Sequence, residues 1–358
     1  MIPYGRQSVD EDDIAAVVAV LRGDWLTQGP HVAEFEDRFA ARVEAEHAVA
    51  FANGTAALHA ACAVSDLGPG DVVATSTLSF VASANCARYV GAEVLLLDVD
   101  PTTLNLDPAQ VPAVDGLVAV HYAGLPVDLR DLGTRPRVVI EDAAHAVGAT
   151  TPDGPVGNCA HSDLCCFSFH PVKTITSGEG GMVTTNDAEL AARLRRFRHH
   201  GTEPRPELGA WAYEVVELAY NYRLTDIQAA LGTSQLARLD AFLERRRALA
   251  QRYREALATA PITVAPAAPA GFGHGLHLFP VQVPDRRRVF DSMRTAGIGV
   301  QVHYVPIHHH RTFSAPPTGL PHADAAYAGL LSLPLYPDLT DAEQDQVIAA
   351  LRTALGAG

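Results

Sequence analysis

Cys166-Phe167-Ser168-Phe169-His170-Pro171-Val172-Lys173 carries a strand-length apolar run through a proline turn and onto a lysine. The loop that follows closes on Gly178-Glu179-Gly180-Gly181. Upstream, Val138-Val139-Ile140-Glu141-Asp142-Ala143-Ala144-His145 sets an acidic pair at the end of a second apolar run. A carboxylate at the C-terminal end of a parallel strand lies where open α/β sheets bind their ligands. A lone lysine after a strand means little; one that shares a sheet end with a carboxylate and small polar residues implies chemistry.

Working outward, short apolar runs alternate with longer helical segments. Strands are expected at 47–51, 72–75, 93–98, 116–121, 137–140, 164–169 and 181–185, with helices starting near Gly54, Phe80 and Asp187. That alternation predicts an α/β fold whose mostly parallel sheet is buried on both faces. In front of it, Ile14, Val17, Val18 and Leu21 recur at helical spacing over 11–22, and a second helix is expected over 31–43. One long helix is expected over 225–257, with Arg245-Arg246-Arg247 on its solvated face. Residues 261–275 are rich in Pro, Ala and Gly, which marks a boundary. The expected division is a large domain, 1–257, and a small C-terminal α+β domain, 258–358. The latter has strands at 276–283 and 300–304 and helices at 286–296 and 341–355.

Composition removes several classes of function. The chain has 358 residues, 48% of them hydrophobic, which is enough for a large core. Lys+Arg number 27 against 41 Asp+Glu, a formal net charge of −14. That balance argues against nucleic-acid partners and anionic membrane surfaces. No signal peptide or membrane-length apolar run is visible. Five cysteines without a CxxC pair read as small buried thiols in a reduced, cytoplasmic protein.

Pyridoxal phosphate (PLP) needs an amine, a carboxylate for its ring nitrogen, donors for its phosphate and a flat group against its ring. Lys173 is the candidate amine; it works only with a lowered pKa, which a dry site supplies. Asp142 would keep the ring nitrogen protonated, although an Asp after a strand also serves as a helix cap. The Glu141–Asp142 pair and a dry pocket would keep charge delocalised. His145 either reaches the cofactor or is a satisfied structural histidine. Asn53-Gly54-Thr55-Ala56-Ala57 joins a strand to a helix, and the N–H groups of a helix start together with the Thr55 hydroxyl suit a phosphate. Ser168 is a second phosphate candidate. Phe80 either stacks on the ring or belongs to the core. His308-His309-His310 invites a metal reading. Adjacent histidines in an extended segment point to opposite faces, and no carboxylate or cysteine stands at a ligand spacing, so no metal is assigned.

These motifs, with Asn221-Tyr222-Arg223-Leu224-Thr225-Asp226-Ile227-Gln228-Ala229-Ala230, resemble the DegT/DnrJ/EryC1/StrS sugar aminotransferases over nearly the whole chain. The resemblance implies the aspartate-aminotransferase fold (fold type I) and PLP as cofactor, with pyridoxamine phosphate between two half-reactions. It implies Lys173 as the Schiff-base lysine and Asp142 as the partner of the ring nitrogen. Thr55 and Ser168 fall at the phosphate and Phe80 at the ring, while Gly54 and His145 stand as cofactor candidates on the residues alone. Asn221 falls where an asparagine reaches the phosphate of the neighbouring subunit, which implies a homodimer with shared active sites. Tyr4, Thr27, Gln28, Gly29, His303 and Tyr304 match segments lining the sugar-nucleotide site. Ile2-Pro3-Tyr4-Gly5-Arg6-Gln7, Leu26-Thr27-Gln28-Gly29-Pro30 and Val302-His303-Tyr304-Val305-Pro306-Ile307 look most like the UDP-sugar C4 aminotransferases of pseudaminic acid synthesis. The implied reaction moves an amino group from L-glutamate to C4 of a nucleotide-linked 4-keto-6-deoxy sugar. Leu125 stands where many relatives carry glutamine. Amination at C3, a dTDP-linked sugar, or a non-catalytic sensor of the same fold are the competing readings.

Overall fold

The computed structural model describes residues 1–264, 266–313 and 319–356. Helices α1 (Glu11–Arg22) and α2 (Pro30–Val43) precede β1 (His47–Phe51), α3 (Gly54–Val64), β2 (Val72–Ser76), α4 (Ala82–Tyr89) and β3 (Glu93–Leu97). Next come β4 (Gly116–Val120), β5 (Val138–Asp142), a two-residue pair β6 (Thr150–Thr151) and β7 (Gly154–Pro155), then β8 (Leu164–Ser168) and β9 (Gly181–Thr185). The central sheet runs β1-β9-β8-β5-β4-β2-β3. All its pairings are parallel except those of β9, which is antiparallel to both β1 and β8. The expected mostly parallel α/β sheet is therefore present. β4, β5, β8 and β9 are buried at every residue, which is why they read as continuous apolar runs.

Alternation along β8 sets up the site. Cys165 and Phe167 turn towards α2, and with Phe169 they join Phe35 and Phe39 in one layer, with aromatic centroids 4.9–6.1 Å apart. Leu164 and Cys166 face the other layer, with α3, α4 and α5 (Ala188–Phe197). By the same period Ser168 faces α3, the element that begins at Gly54.

The rest of the chain is β10 (Thr202–Pro204) and β11 (Tyr213–Val215), a hairpin, followed by α6 (Asp226–Ala237) and α7 (Leu239–Ala256). β12 (Thr263–Val264), β13 (Phe279–Gln282), α8 (Arg286–Thr295), α9 (Pro321–Gly329), β14 (Leu330–Leu333) and α10 (Asp341–Ala354) complete it. β12, β13 and β14 form an antiparallel sheet whose core includes Leu249, Ala250, Tyr253 and Leu257 and touches Ile2. No helix among the described residues is long and apolar enough to cross a membrane.

Three expectations are corrected. The helix over 225–257 is two, α6 and α7, turning at Arg238. Arg246 is not on a solvated face: it is 1% exposed, and its Nη1 donates to the carbonyls of Leu276 (3.0 Å) and Leu335 (2.9 Å). It shares the 3.6-residue stripe of Leu239, Phe242, Leu243, Leu249 and Tyr253, a period that outranks charge. Residues 300–304 are not a strand; Gln301 makes only an isolated bridge to Ser332. That pairing belongs to β14, which sequence reasoning did not find although Gly329 ends α9 directly before it.

Candidate active site

The C-terminal ends of β1, β5 and β8 meet the start of β9 and the loop after β2 around a cleft of about 680 Å³. Its lining includes Gly54, Thr55, Phe80, Asp142, His145, Ser168 and Lys173, and on the far wall Tyr4, His303 and Tyr304. Ten of the candidate residues named from sequence thus share one cavity.

Asp142 ends β5 and is 6% exposed. Ser83 Oγ donates to its Oδ2 at 2.6 Å, and the Ala144 N–H to its Oδ1 at 3.2 Å. These bonds fix the carboxylate and leave it no neutralising cation of its own except across the cleft. Glu141 does not join it. Strand alternation turns Glu141 to the opposite face, where it meets His121 Nε2 at 2.7 Å and Ser162 Oγ at 2.5 Å. Burial pushes Glu141 up, but the His121 contact outweighs it and the carboxyl sits below its ordinary range. The acidic pair of the sequence is therefore one carboxylate in the site and one structural carboxylate beneath it, hydrogen-bonded to a histidine whose Nδ1 accepts the Val127 N–H.

Lys173 is the only lysine in the chain; all other basic side chains of that class are arginines. It is half-buried as a residue, yet desolvation lowers its amine from 10.5 to about 8, against the opposing pull of Asp142. Three histidines line the same wall. His145 is held well below its ordinary value by burial, then by the charges of Lys173 and His303. His277 is lowered by burial first, then Lys173, and burial and Lys173 bring His303 to about 4. All three are neutral at neutral pH, so Lys173 supplies the cleft's titrating positive charge.

The candidate phosphate end of the cleft is built by α3. Asn53 Oδ1 caps the Ala56 N–H at 2.8 Å, leaving the N–H groups of Gly54 and Thr55 without a protein partner among the described residues. Gly54 lies so close to Ser168 that a Cβ there would stand 2.9 Å from Ser168 Cβ. Only glycine lets the helix start and the Ser168 hydroxyl converge on one spot. At the ring end, His145 Nε2 bonds Tyr304 Oη at 2.9 Å and the two rings stack at 22°. The Nδ1 atoms of His145 and His277 are buried without partners, a cost that a bound polar group would relieve. Phe80 sits at the rim, 55% exposed, its ring 6.0 Å from Tyr304. An enclosed amine, a fixed carboxylate, free N–H groups with a hydroxyl, and unpaired ring nitrogens fit PLP.

Four candidates lie elsewhere in the single chain. Gln28 and Gly29 line a separate groove of about 310 Å³ with Arg195, Arg198 and Arg223, and Thr27 bridges Thr225. There Asp226 accepts from the N–H groups of Gly29 (2.8 Å) and His31 (2.9 Å), holding the start of α2. Asn221 is exposed and pairs with His199. Sequence reasoning missed Ser83, although a serine one turn after Phe80 in a helix facing a strand end was the available signal. It also missed His277, the histidine in the largely apolar run 276–283.

The model of the DegT/DnrJ/EryC1/StrS aminotransferase family matches residues 7–352. The chain is 37% identical to the spore coat polysaccharide biosynthesis protein SpsC of Bacillus subtilis (strain 168), an alignment covering 98% of this chain and 96% of that protein. Among solved structures it is similar to the putative sugar aminotransferase Spr1654 from Streptococcus pneumoniae. That protein's PMP-form gives a TM-score of 0.93 at 28% identity, covering 99% of each chain. Its PLP-form gives 0.92 at 28% identity, over 99% of this chain and 98% of that one. PseC from Helicobacter pylori, an aminotransferase involved in the biosynthesis of pseudoaminic acid, gives 0.91 at 26% identity, covering 100% of both.

The lowered amine has a kinetic consequence. Only the uncharged amine attacks an aldehyde, so uptake of PLP by cofactor-free protein should rise through about pH 8 and then level off. Stopped-flow absorbance measures this; a rate still climbing at about pH 10, as for an ordinary lysine, would contradict an enclosed amine.

Proposed function

We propose, from the premise that this chain belongs to the DegT/DnrJ/EryC1/StrS aminotransferase family, that it transfers the amino group of L-glutamate to C4 of a nucleotide-linked 4-keto-6-deoxy sugar. The protein is a PLP-dependent sugar aminotransferase. Our assignment of its substrate is UDP-2-acetamido-2,6-dideoxy-beta-L-arabino-hex-4-ulose. Its support is the likeness to PseC along the full chain and the Tyr4, His303 and Tyr304 segments that form one wall of the cleft. The observation that carries the reading is Lys173, with its depressed amine, in one cavity with the Ser83-anchored Asp142.

When bound, PLP supplies an electron sink for the carbon that loses or gains the amine. Each neighbouring residue then has a defined task. Asp142, aligned by Ser83, would hold the proton on the ring nitrogen. Gly54 and Thr55 N–H groups and the Ser168 hydroxyl would bind the phosphate. Lys173 Nζ, uncharged in part near neutral pH, would accept a proton from the donor's α-carbon and return one to the sugar carbon. The buried histidine wall excludes water from that transfer.

We further read the protein as a cytoplasmic homodimer, in which Asn221 and the Thr27–Gly29 segment complete the neighbour's site. In support, the 208–220 segment exposes Leu208, Trp211, Tyr213, Val215 and Leu218, from 61% to 90%, more apolar surface than a lone subunit usually leaves bare. All five cysteines are free and buried, in keeping with a reducing compartment. If sites are shared, mixing inactive Lys173→Ala with Asn221→Ala subunits should restore about a quarter of wild-type activity, since half of randomly paired dimers carry one intact site. No recovery after co-refolding would contradict sharing.

Incubation with glutamate and a panel of UDP- and dTDP-linked keto sugars tests the substrate, with the aminated carbon identified by NMR. The expected product carries nitrogen at C4 of a UDP-sugar. Amination of 3-keto sugars alone would overturn the assignment.

A further inference from the structure

We propose that His308, His309 and Asp324 form a binding site for a divalent transition metal of the Zn2+ type, outside the catalytic cleft. The expectation that these adjacent histidines diverge fails because Ile307–His309 is a 3-10 turn, not an extended segment. In that turn both rings reach one carboxylate. His309 Nε2 lies 2.7 Å and His308 Nε2 3.1 Å from Asp324 Oδ1, and the ring centroids are 4.4 Å apart. One ligand atom from each residue falls within 4.8 Å of the others. Donors about 2.0–2.1 Å from a tetrahedral Zn2+ stand about 3.3 Å apart, so the two histidine–carboxylate separations, 2.7 and 3.1 Å, would open by about half an ångström or less to admit a cation. Two imidazoles and a carboxylate suit Zn2+, Ni2+ or Cu2+ and not Mg2+. Water would fill the open position, since Asp324 and His309 are exposed at 49% and 37% of their side chains.

The supporting contacts are those of a ligand set. His308 Nδ1 lies 2.7 Å from Thr77 Oγ1, so with its proton on Nδ1 the ring offers the Nε2 lone pair outward. Thr77 also accepts the Ile307 N–H on its carbonyl at 2.8 Å, which fixes the turn. The His309 ring packs edge-on against Tyr327, 5.5 Å away on the same helix as Asp324. Asp98 holds the start of that helix through the His322 and Ala323 N–H groups. The carboxylate comes from α9, 15 residues beyond His309, too far along the chain for any spacing rule to connect them. A cation there would pin the turn that follows His303 and Tyr304 to α9.

Isothermal titration of the metal-stripped holoenzyme with Zn2+ tests this, with the cofactor's visible absorbance followed to show that its site is undisturbed. The expected result is one Zn2+ per chain, with no competition from Mg2+. His309→Gln and Asp324→Asn should each abolish that binding. Thr77→Val, which leaves all three ligands in place, should weaken it by about tenfold or more. Absence of Zn2+ binding to the wild type, or affinity unchanged in Asp324→Asn and Thr77→Val, would overturn the proposal and leave a hydrogen-bonded His–Asp cluster.

Discussion

Replacing Lys173 by alanine should lower turnover by about 10⁴-fold or more, because on the proposed reading one side chain would provide both the covalent anchor and the proton carrier. No second amine can stand in. The chain has no other lysine, so the remaining primary amine is the one at Met1. Histidine cannot substitute as the base without loss, since burial, the largest cause lowering His145, His277 and His303, persists when Lys173 is removed. Stability moves the other way. An amine whose folded pKa is about 8 binds protons less readily than in the unfolded chain, so below pH 8 its burial costs free energy that rising pH relieves. Lys173→Ala should therefore unfold no more easily than wild type at pH 7. Single-turnover kinetics and thermal denaturation on the same preparation separate chemistry from folding. An inactive variant that is also markedly destabilised would point to a structural lysine.

Asp142→Asn should reduce kcat by about 10²–10³-fold, the usual loss when a preorganised charge is removed from a desolvated site. The change is close to isosteric, and Ser83 Oγ can still donate to the amide oxygen at the present 2.6 Å contact, so the fold should be retained. What disappears is the negative charge opposite the ring nitrogen. Part of the Lys173 balance goes with it: Asp142 raises the amine's pKa, so in Asp142→Asn the amine should titrate lower than in wild type. The pH profile of cofactor uptake should shift towards acid while turnover falls. Near-wild-type turnover in this variant would place the ring's partner elsewhere.

The catalytic half of the site was legible because sheet ends are where sequence and space agree. A run such as Val138–Asp142 or Leu164–Ser168 stops at the sheet edge, so its final polar residue is in the cleft by construction. The limit of that logic is the period of two. Glu141 and Asp142 are neighbours in sequence and stand on opposite faces, one paired with His121 and the other with Ser83. Arg246 was misread for a similar reason, its helical position counting for more than its charge. The parts that sequence did not reveal depend on long-range contacts without a local pattern. Asp324 meets His308 and His309 through tertiary packing, and β14 follows α9 directly, its pairing set by the distant β13.

The central claim is that Lys173 binds PLP covalently. Borohydride reduction of the holoenzyme, followed by peptide mass spectrometry, tests it most directly. The account predicts loss of the visible absorbance and a phosphopyridoxyl group on the peptide containing Lys173, with the Met1 amine unmodified and no label in Lys173→Ala. Label on Met1 alone, or a reduced protein carrying none, would contradict it.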